Sequence, residues 1–143
     1  MEKKSEIITE DVRKVLQDAF RQLSDTVAIE VYTQKGANDM FNDFTVDLIK
    51  AMSELTDKIK VTYYKIGDEQ SKKRNVFRSP TVLIAPDKYS ICYTGAPAGE
   101  EGRSIVMAII MVSTGQTLLS DDAKKRLNKL TEKRHIKVFV SPT

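Results

Sequence analysis

One cysteine, Cys92, and one histidine, His135, are the entire supply of thiol and imidazole in this chain of 143 residues. A single thiol cannot close an internal disulfide, and one Cys with one His falls short of the ligands that a zinc site of the Cys and His type requires. No metal and no cofactor are therefore expected. His135 has no Ser or Asp partner at motif spacing, so a surface place is expected for it. The glycine-rich stretch from Gly95 to Gly102 lacks the Gly-Lys-Ser or Gly-Lys-Thr ending of a phosphate loop, which leaves the start of the following helix as its one anion-binding feature. The triplet Lys72-Lys73-Arg74 reads as solvated surface. Cys92, between Ile91 and Tyr93, reads as a small buried hydrophobe in a strand, with a sensing or intermolecular redox thiol as the alternative.

The elements that must position these residues follow from periodicity. Thr9, then Glu10 and Asp11, then the stripe Val12, Val15, Leu16, Ala19, Phe20 and Leu23 predict a capped helix over residues 10–23. Residues 27–32 alternate as a strand that is apolar on both sides except at Glu30, which either meets a partly open face or pairs with a lysine. Phe41, Phe44, Leu48, Met52 and Leu55 mark a long helix opened by an Asn38 or Asp39 cap, and residues 61–66 form the next strand. Strand, helix, strand in that order implies a parallel pair. Residues 68–75 read as a short irregular helix and loop. Residues 81–85 and 89–94 flank the turn Pro86-Asp87-Lys88 and predict an antiparallel hairpin. An apolar helix around residues 105–112 ends at Thr114-Gly115, a Ser120-capped helix spans 120–130, and residues 136–140 read as a last strand.

Composition bounds the function. With 41% hydrophobic and 30% charged residues the chain has the makeup of an ordinary globular domain. The net charge of +3 comes from 23 basic and 20 acidic residues spread along the whole length, which argues against a nucleic-acid stripe or a membrane patch. No apolar run reaches the roughly 20 residues of a membrane span, and residues 1–6 do not lead into a signal-peptide core. The cytoplasm is the expected location.

Four segments carry a resemblance. Ser53-Glu54-Leu55-Thr56-Asp57-Lys58-Ile59, the step Ser79-Pro80-Thr81 leading into Val82-Leu83-Ile84, and Tyr93-Thr94-Gly95-Ala96-Pro97-Ala98-Gly99-Glu100-Glu101 resemble the N-terminal unit of glutaredoxin-like protein disulfide oxidoreductases. The final stretch, Ile136-Lys137-Val138-Phe139-Val140-Ser141-Pro142-Thr143, resembles the strand that leads to a Cys-x-x-Cys in the second unit of those proteins. Similar segments occur in the N-terminal module of the flavoprotein subunit of alkyl hydroperoxide reductase, whose first unit lacks the thiol pair. The likeness implies a thioredoxin-like α/β fold: a central mixed sheet of four strands, helices on both faces and an extra N-terminal helix. It also implies a thioredoxin-like domain over residues 1–115 and, over 116–143, the start of a second, truncated unit.

The departures bear on chemistry. Where the family's active units hold Cys-x-x-Cys, this chain reads Gly36-Ala37-Asn38-Asp39-Met40-Phe41-Asn42, with Asp39 and Asn42 in the thiol positions. Thiol exchange needs a thiolate stabilised by the helix N-terminus and a second thiol that resolves the mixed disulfide, and Asp and Asn supply neither. Asp39 is expected instead to cap the helix. Glu100 stands where the family's Gly-x-Pro-x-Gly-His-Glu turn has histidine. An X-Pro bond is ordinarily trans, but the resemblance implies a cis Ser79-Pro80 bond that leaves the backbone groups of Ser79 free to pair with an extended substrate peptide, with Ser79, Pro80 and Thr81 supporting the binding; an inherited fold constraint is the alternative. The expected function is a redox-inactive module of a disulfide oxidoreductase system that binds a substrate or positions a second thioredoxin-like unit or thiol-bearing partner. The alternatives are a thiol-disulfide oxidoreductase using Cys92 or a downstream Cys-x-x-Cys, and a homodimer paired through the last strand.

Overall fold

The computed structural model describes residues 7–141. The expectations for Met1-Glu2-Lys3-Lys4-Ser5-Glu6 and for Pro142-Thr143 lie outside the described residues. Helix α1 (Glu10–Phe20) starts where the Thr9 hydroxyl accepts from the Val12 amide at 3.3 Å, with Glu10 and Asp11 in its first turn. It stops at Phe20, short of the predicted residue 23, because the next segment is tied to another helix. Ser24 Oγ donates to the Ser113 carbonyl at 2.7 Å, and the Asp25 amide donates to Ser113 Oγ at 3.0 Å. Strand β1 (Val27–Thr33) follows.

Helix α2 (Asp39–Ser53) connects β1 to β2 (Ile59–Lys65), and the two strands pair in parallel with Val27 opposite Ile59 and Thr33 opposite Lys65. Helix α3 (Glu69–Arg74) is capped by Asp68, whose carboxylate accepts from the Ser71 amide at 2.7 Å; the predicted irregular segment is thus a regular short helix. Strands β3 (Thr81–Ile84) and β4 (Ile91–Thr94) form the predicted hairpin. Strand β3 ends at Ile84 because Ala85 turns into the left-handed region, at φ 45°, while its amide donates to the Ala28 carbonyl. The sheet order is β2-β1-β3-β4, mixed, with β4 at one edge. Helices α4 (Glu100–Thr114) and α5 (Asp121–Leu127) complete the described elements.

Alternation along the strands divides the molecule into two layers. Val27, Ile29 and Val31 of β1 and Val82 and Ile84 of β3 join Leu16 and Phe20 of α1, Leu48 and Ile49 of α2, and Ile105 and Ile109 of α4 in one buried cluster. The opposite side of the sheet carries a smaller cluster of Tyr32, Leu83 and Val76, with Tyr64 and Ile66 against it, and α3 lies there. Tyr32 and Tyr64, paired across β1 and β2, stack with ring centroids 5.3 Å apart.

Three expectations are corrected. Residues 136–140 form no strand; Val138 and Phe139 stand 79% and 90% exposed, because a strand needs a ladder partner and no described segment supplies one. Helix α5 ends at Leu127 and buries nothing, so Leu127 and Leu130 are exposed. Cys92 is exposed rather than buried: its neighbours Ile91 and Tyr93 pack on the large cluster, so alternation turns the thiol to the open side.

Candidate functional site

Asn42 ties the start of α2 to the segment before β3. It is buried, 5% exposed, and both ends of its carboxamide are engaged. Nδ2 donates to the carbonyls of Gln34 at 2.9 Å and Ala37 at 2.8 Å, and Oδ1 accepts from Ser79 Oγ at 2.7 Å. Ser79 Oγ in turn accepts from the Gln34 amide at 2.7 Å. Asn42 is therefore a structural link across 37 positions of sequence. Asp39 accepts from the Gly36 amide at 2.8 Å, so it closes the loop in front of the helix instead of capping the helix amides as expected. The N-cap is Asn38, in the left-handed region at φ 61° with no capping bond; its Nδ2 donates to the Ser79 carbonyl at 2.9 Å.

The Ser79-Pro80 peptide is cis, as the resemblance implies and the residue pair alone would not. The polar groups of this step are occupied from within the chain. Besides the Ser79 contacts, the Pro80 carbonyl accepts from the Gly95 amide at 2.9 Å, and Thr81 Oγ1 donates to the Arg78 carbonyl at 2.7 Å. Pro80 and Thr81 are buried; Asn38 and Asp39 are exposed beside Met40 and Phe41.

Cys92 is not brought to this place. It sits opposite Leu83 in the β3–β4 register, on the side of the sheet away from α2, with its Sγ 3.8 Å from Thr94 Oγ1. Glu100 is the exposed first residue of α4. His135 is exposed and reaches the groove over β4. Among the described residues no three His, Cys, Asp or Glu side chains gather as a metal site, and no helix is long and apolar enough to cross a membrane.

A second polar cluster, missed by sequence reasoning, lies under α3. Glu30 is buried and accepts from Tyr32 OH, Gln70 Nε2, and both Nε and Nη2 of Arg74. Arg74 also donates to Asp87 at 2.6 Å and to the Pro86 carbonyl, and its side chain is 16% exposed. Of the two expectations for Glu30, the partly open face gives way to burial and the lysine partner to an arginine, and the third residue of the basic triplet is an ion-paired strut, not a solvated charge. A guanidinium fits because its fork reaches both carboxylate oxygens at once. Burial first, then the hydrogen bond to Glu30, holds the Tyr32 phenol well above its usual range; burial likewise raises Tyr63 and Tyr93. The Glu30 misfit in the strand was the sequence signal for this cluster, but Gln70 and Arg74 lie 40 and 44 residues away.

A four-stranded β2-β1-β3-β4 sheet, a cis proline opening β3 and a long helix after β1 define a thioredoxin-like fold. Solved structures agree with that class. The chain is similar to a protein disulfide oxidoreductase from Aeropyrum pernix, with TM-score 0.74 and 27% identity over 85% of this chain and 55% of that one. It is also similar to the alkylhydroperoxide reductase protein AhpF from Enterococcus faecalis, with TM-score 0.74 and 21% identity over 86% of this chain and 61% of that one. The NTD_N/C domain of AhpF matches with TM-score 0.71 and 20% identity over 84% of this chain and 59% of that one. The chain thus spans little more than half the length of these structures. No protein-family model and no curated protein matches it. The fold is that of the thioredoxin-like units to which the sequence segments bear a resemblance, and this copy holds one cysteine.

Proposed function

We propose that the chain is a redox-inactive thioredoxin-like module of a disulfide oxidoreductase system, one that positions a thiol-bearing partner unit and exchanges no disulfides itself. The observation that carries this reading is Asn42. Both ends of its buried carboxamide are committed to the loop and to Ser79, at the position that the resemblance gives to the resolving thiol. The lone Cys92 lies across the sheet from that place and has no second thiol to resolve a mixed disulfide. The Asn38 contact favours positioning a partner over holding a substrate peptide, since the Ser79 carbonyl is already occupied. A role in redox homeostasis and a cytoplasmic location go with this reading.

The test is reduction of a protein disulfide by dithiothreitol with and without the chain. No acceleration is expected, and the Cys92→Ser variant should match the parent chain. A clear acceleration that disappears in Cys92→Ser overturns the proposal.

A second reading has its own support. Ile136, Val138, Phe139 and Val140 form an exposed apolar segment with strand spacing, suited to pairing with a twin or with a second unit's sheet. Sedimentation over a concentration range tests the twin: a monomer at every concentration removes it.

A further inference from the structure

A groove of about 570 Å³ crosses the open side of the sheet, away from α2 and its loop. Its floor is the register pair Leu83 and Cys92, with Thr81 and Thr94 as the next pair along the same two strands. Phe77, 65% exposed, and Tyr89, 38% exposed, form apolar walls. Lone exposed apolar side chains are ordinary, but two aromatics flanking a flat two-strand floor make a continuous concave surface.

Cations predominate around it, with the exposed Asp87 carboxylate standing at its edge beside Pro86. The cations Arg74 and Arg78 line the groove together with the His135 ring, and among the described residues lining it there is no carboxylate. Arg74 is neutralised by Glu30 and Asp87. Arg78 is exposed and has no ion pair among the described residues. Lys88 holds its Nζ 5.4 Å from the Tyr89 ring centroid, and Lys72 and Lys73 stand exposed in the last turn of α3, directly before Arg74. The groove therefore pairs aromatic walls and a floor of Leu83, Cys92 and two threonines with a rim whose uncompensated charge is positive.

From this combination we propose that the groove docks an extended, acidic and apolar segment of a partner protein, its apolar side chains on Leu83, Phe77 and Tyr89 and its carboxylates toward Arg78 and Lys88. The proposal rests on the reading of the chain as a partner-positioning module and names the surface that does it. A flat two-strand floor suits a polypeptide whose side chains alternate between sheet and rim, with apolar contacts supplying affinity and charge supplying selectivity. Single-stranded nucleic acid fits less well. It needs cations in register along a backbone, whereas this rim has few uncompensated ones and the chain as a whole sets 20 acidic residues against 23 basic.

The experiment is fluorescence anisotropy on the whole chain with three labelled probes: a peptide alternating glutamate and leucine, its lysine-and-leucine counterpart, and oligothymidylate of equal length. Saturable binding of the glutamate peptide alone is expected, weakened by salt and reduced about tenfold by Arg78→Glu or by Lys88→Glu, both exposed positions. Thr94→Trp, which fills the floor, should also abolish it. No saturable binding of the glutamate peptide, equal binding of the lysine peptide, or indifference to both charge reversals in variants of unchanged circular dichroism overturns the proposal. Tighter binding of oligothymidylate overturns it in favour of a nucleic-acid surface. Peptide binding together with Cys92-dependent disulfide reduction leaves the groove standing and removes the non-catalytic reading; absence of both removes the groove alone.

Discussion

Asn42→Ala removes three hydrogen bonds at once, and its cost can be worked from their surroundings. Two run from Nδ2 to the carbonyls of Gln34 and Ala37, and one is accepted by Oδ1 from Ser79. Each bond is worth about 0.5–1.5 kcal/mol net, with the higher values where the partner is left dry. Gln34 is exposed and Ala37 half-buried, so water can replace the amide at both carbonyls and these two losses fall at the low end. Ser79 Oγ keeps the Gln34 amide as donor but loses its own acceptor. Alanine returns about 0.5 kcal/mol through better helix propensity inside α2. The net loss should be about 2 kcal/mol. Urea unfolding followed by far-ultraviolet circular dichroism reads it as a midpoint lowered by about 1 M, for a slope of about 2 kcal/mol/M. Asn42→Asp has the same shape and still accepts from Ser79, but it aims carboxylate oxygen at two carbonyl oxygens. At neutral pH it should be less stable than the alanine variant. Combined with Ser79→Ala, the alanine variant should lose less than the sum of the two single changes, by about 1 kcal/mol. A midpoint unchanged in Asn42→Ala, or an aspartate variant as stable as the parent, refutes the reasoning and leaves position 42 without a structural duty.

Three further outcomes are expected. Arg74→Met strands the buried Glu30 carboxylate and should cost about 3 kcal/mol in urea unfolding; adding Glu30→Gln should recover most of it, and a cost below that of an ordinary surface change would contradict the strut role. Burial raises the Tyr32 pKa above the unfolded value of 10, so the unfolded chain releases this proton first. Its stabilising effect is complete below that pH and declines above it, by at most about 1.36 kcal/mol per pH unit for this one group, and Tyr32→Phe should flatten the alkaline fall of the melting temperature. Asn38→Gly keeps a left-handed backbone at no steric cost while releasing the Ser79 carbonyl, so stability should change by less than about 1 kcal/mol, whereas Asn38→Ala should lose about 1–2 kcal/mol; equal unfolding midpoints for the two would show that the φ of 61° carries no strain.

Local rules made most of the elements legible in the amino acids. Thr9, Ser120 and the acidic first turns announced helices, Pro86-Asp87-Lys88 announced the hairpin, and helical or alternating spacing announced the other elements except the regular form of α3. The missing second thiol was equally plain, because a count of cysteines needs no coordinates. Spacing failed where tertiary context ruled. Residues 136–140 have strand spacing but no ladder among the described residues, since periodicity reports which side chains want burial and not whether a partner provides it. Cys92 sits at a β-strand position whose two neighbours took the core side, so the open side fell to the thiol.

What the chain's own chemistry settled is the absence of a thiol pair and the local order of helices and strands, because both depend on neighbours a few residues apart. Only the folded molecule joined Asn42 to Ser79, Asn38 to the Ser79 carbonyl, and Glu30 to Arg74 across 37 to 44 positions. Hydrogen bonds of that reach are made by the sheet order β2-β1-β3-β4, which sets the start of α2 beside the segment before β3 and lays α3 over β1, and no spacing rule along the chain encodes them.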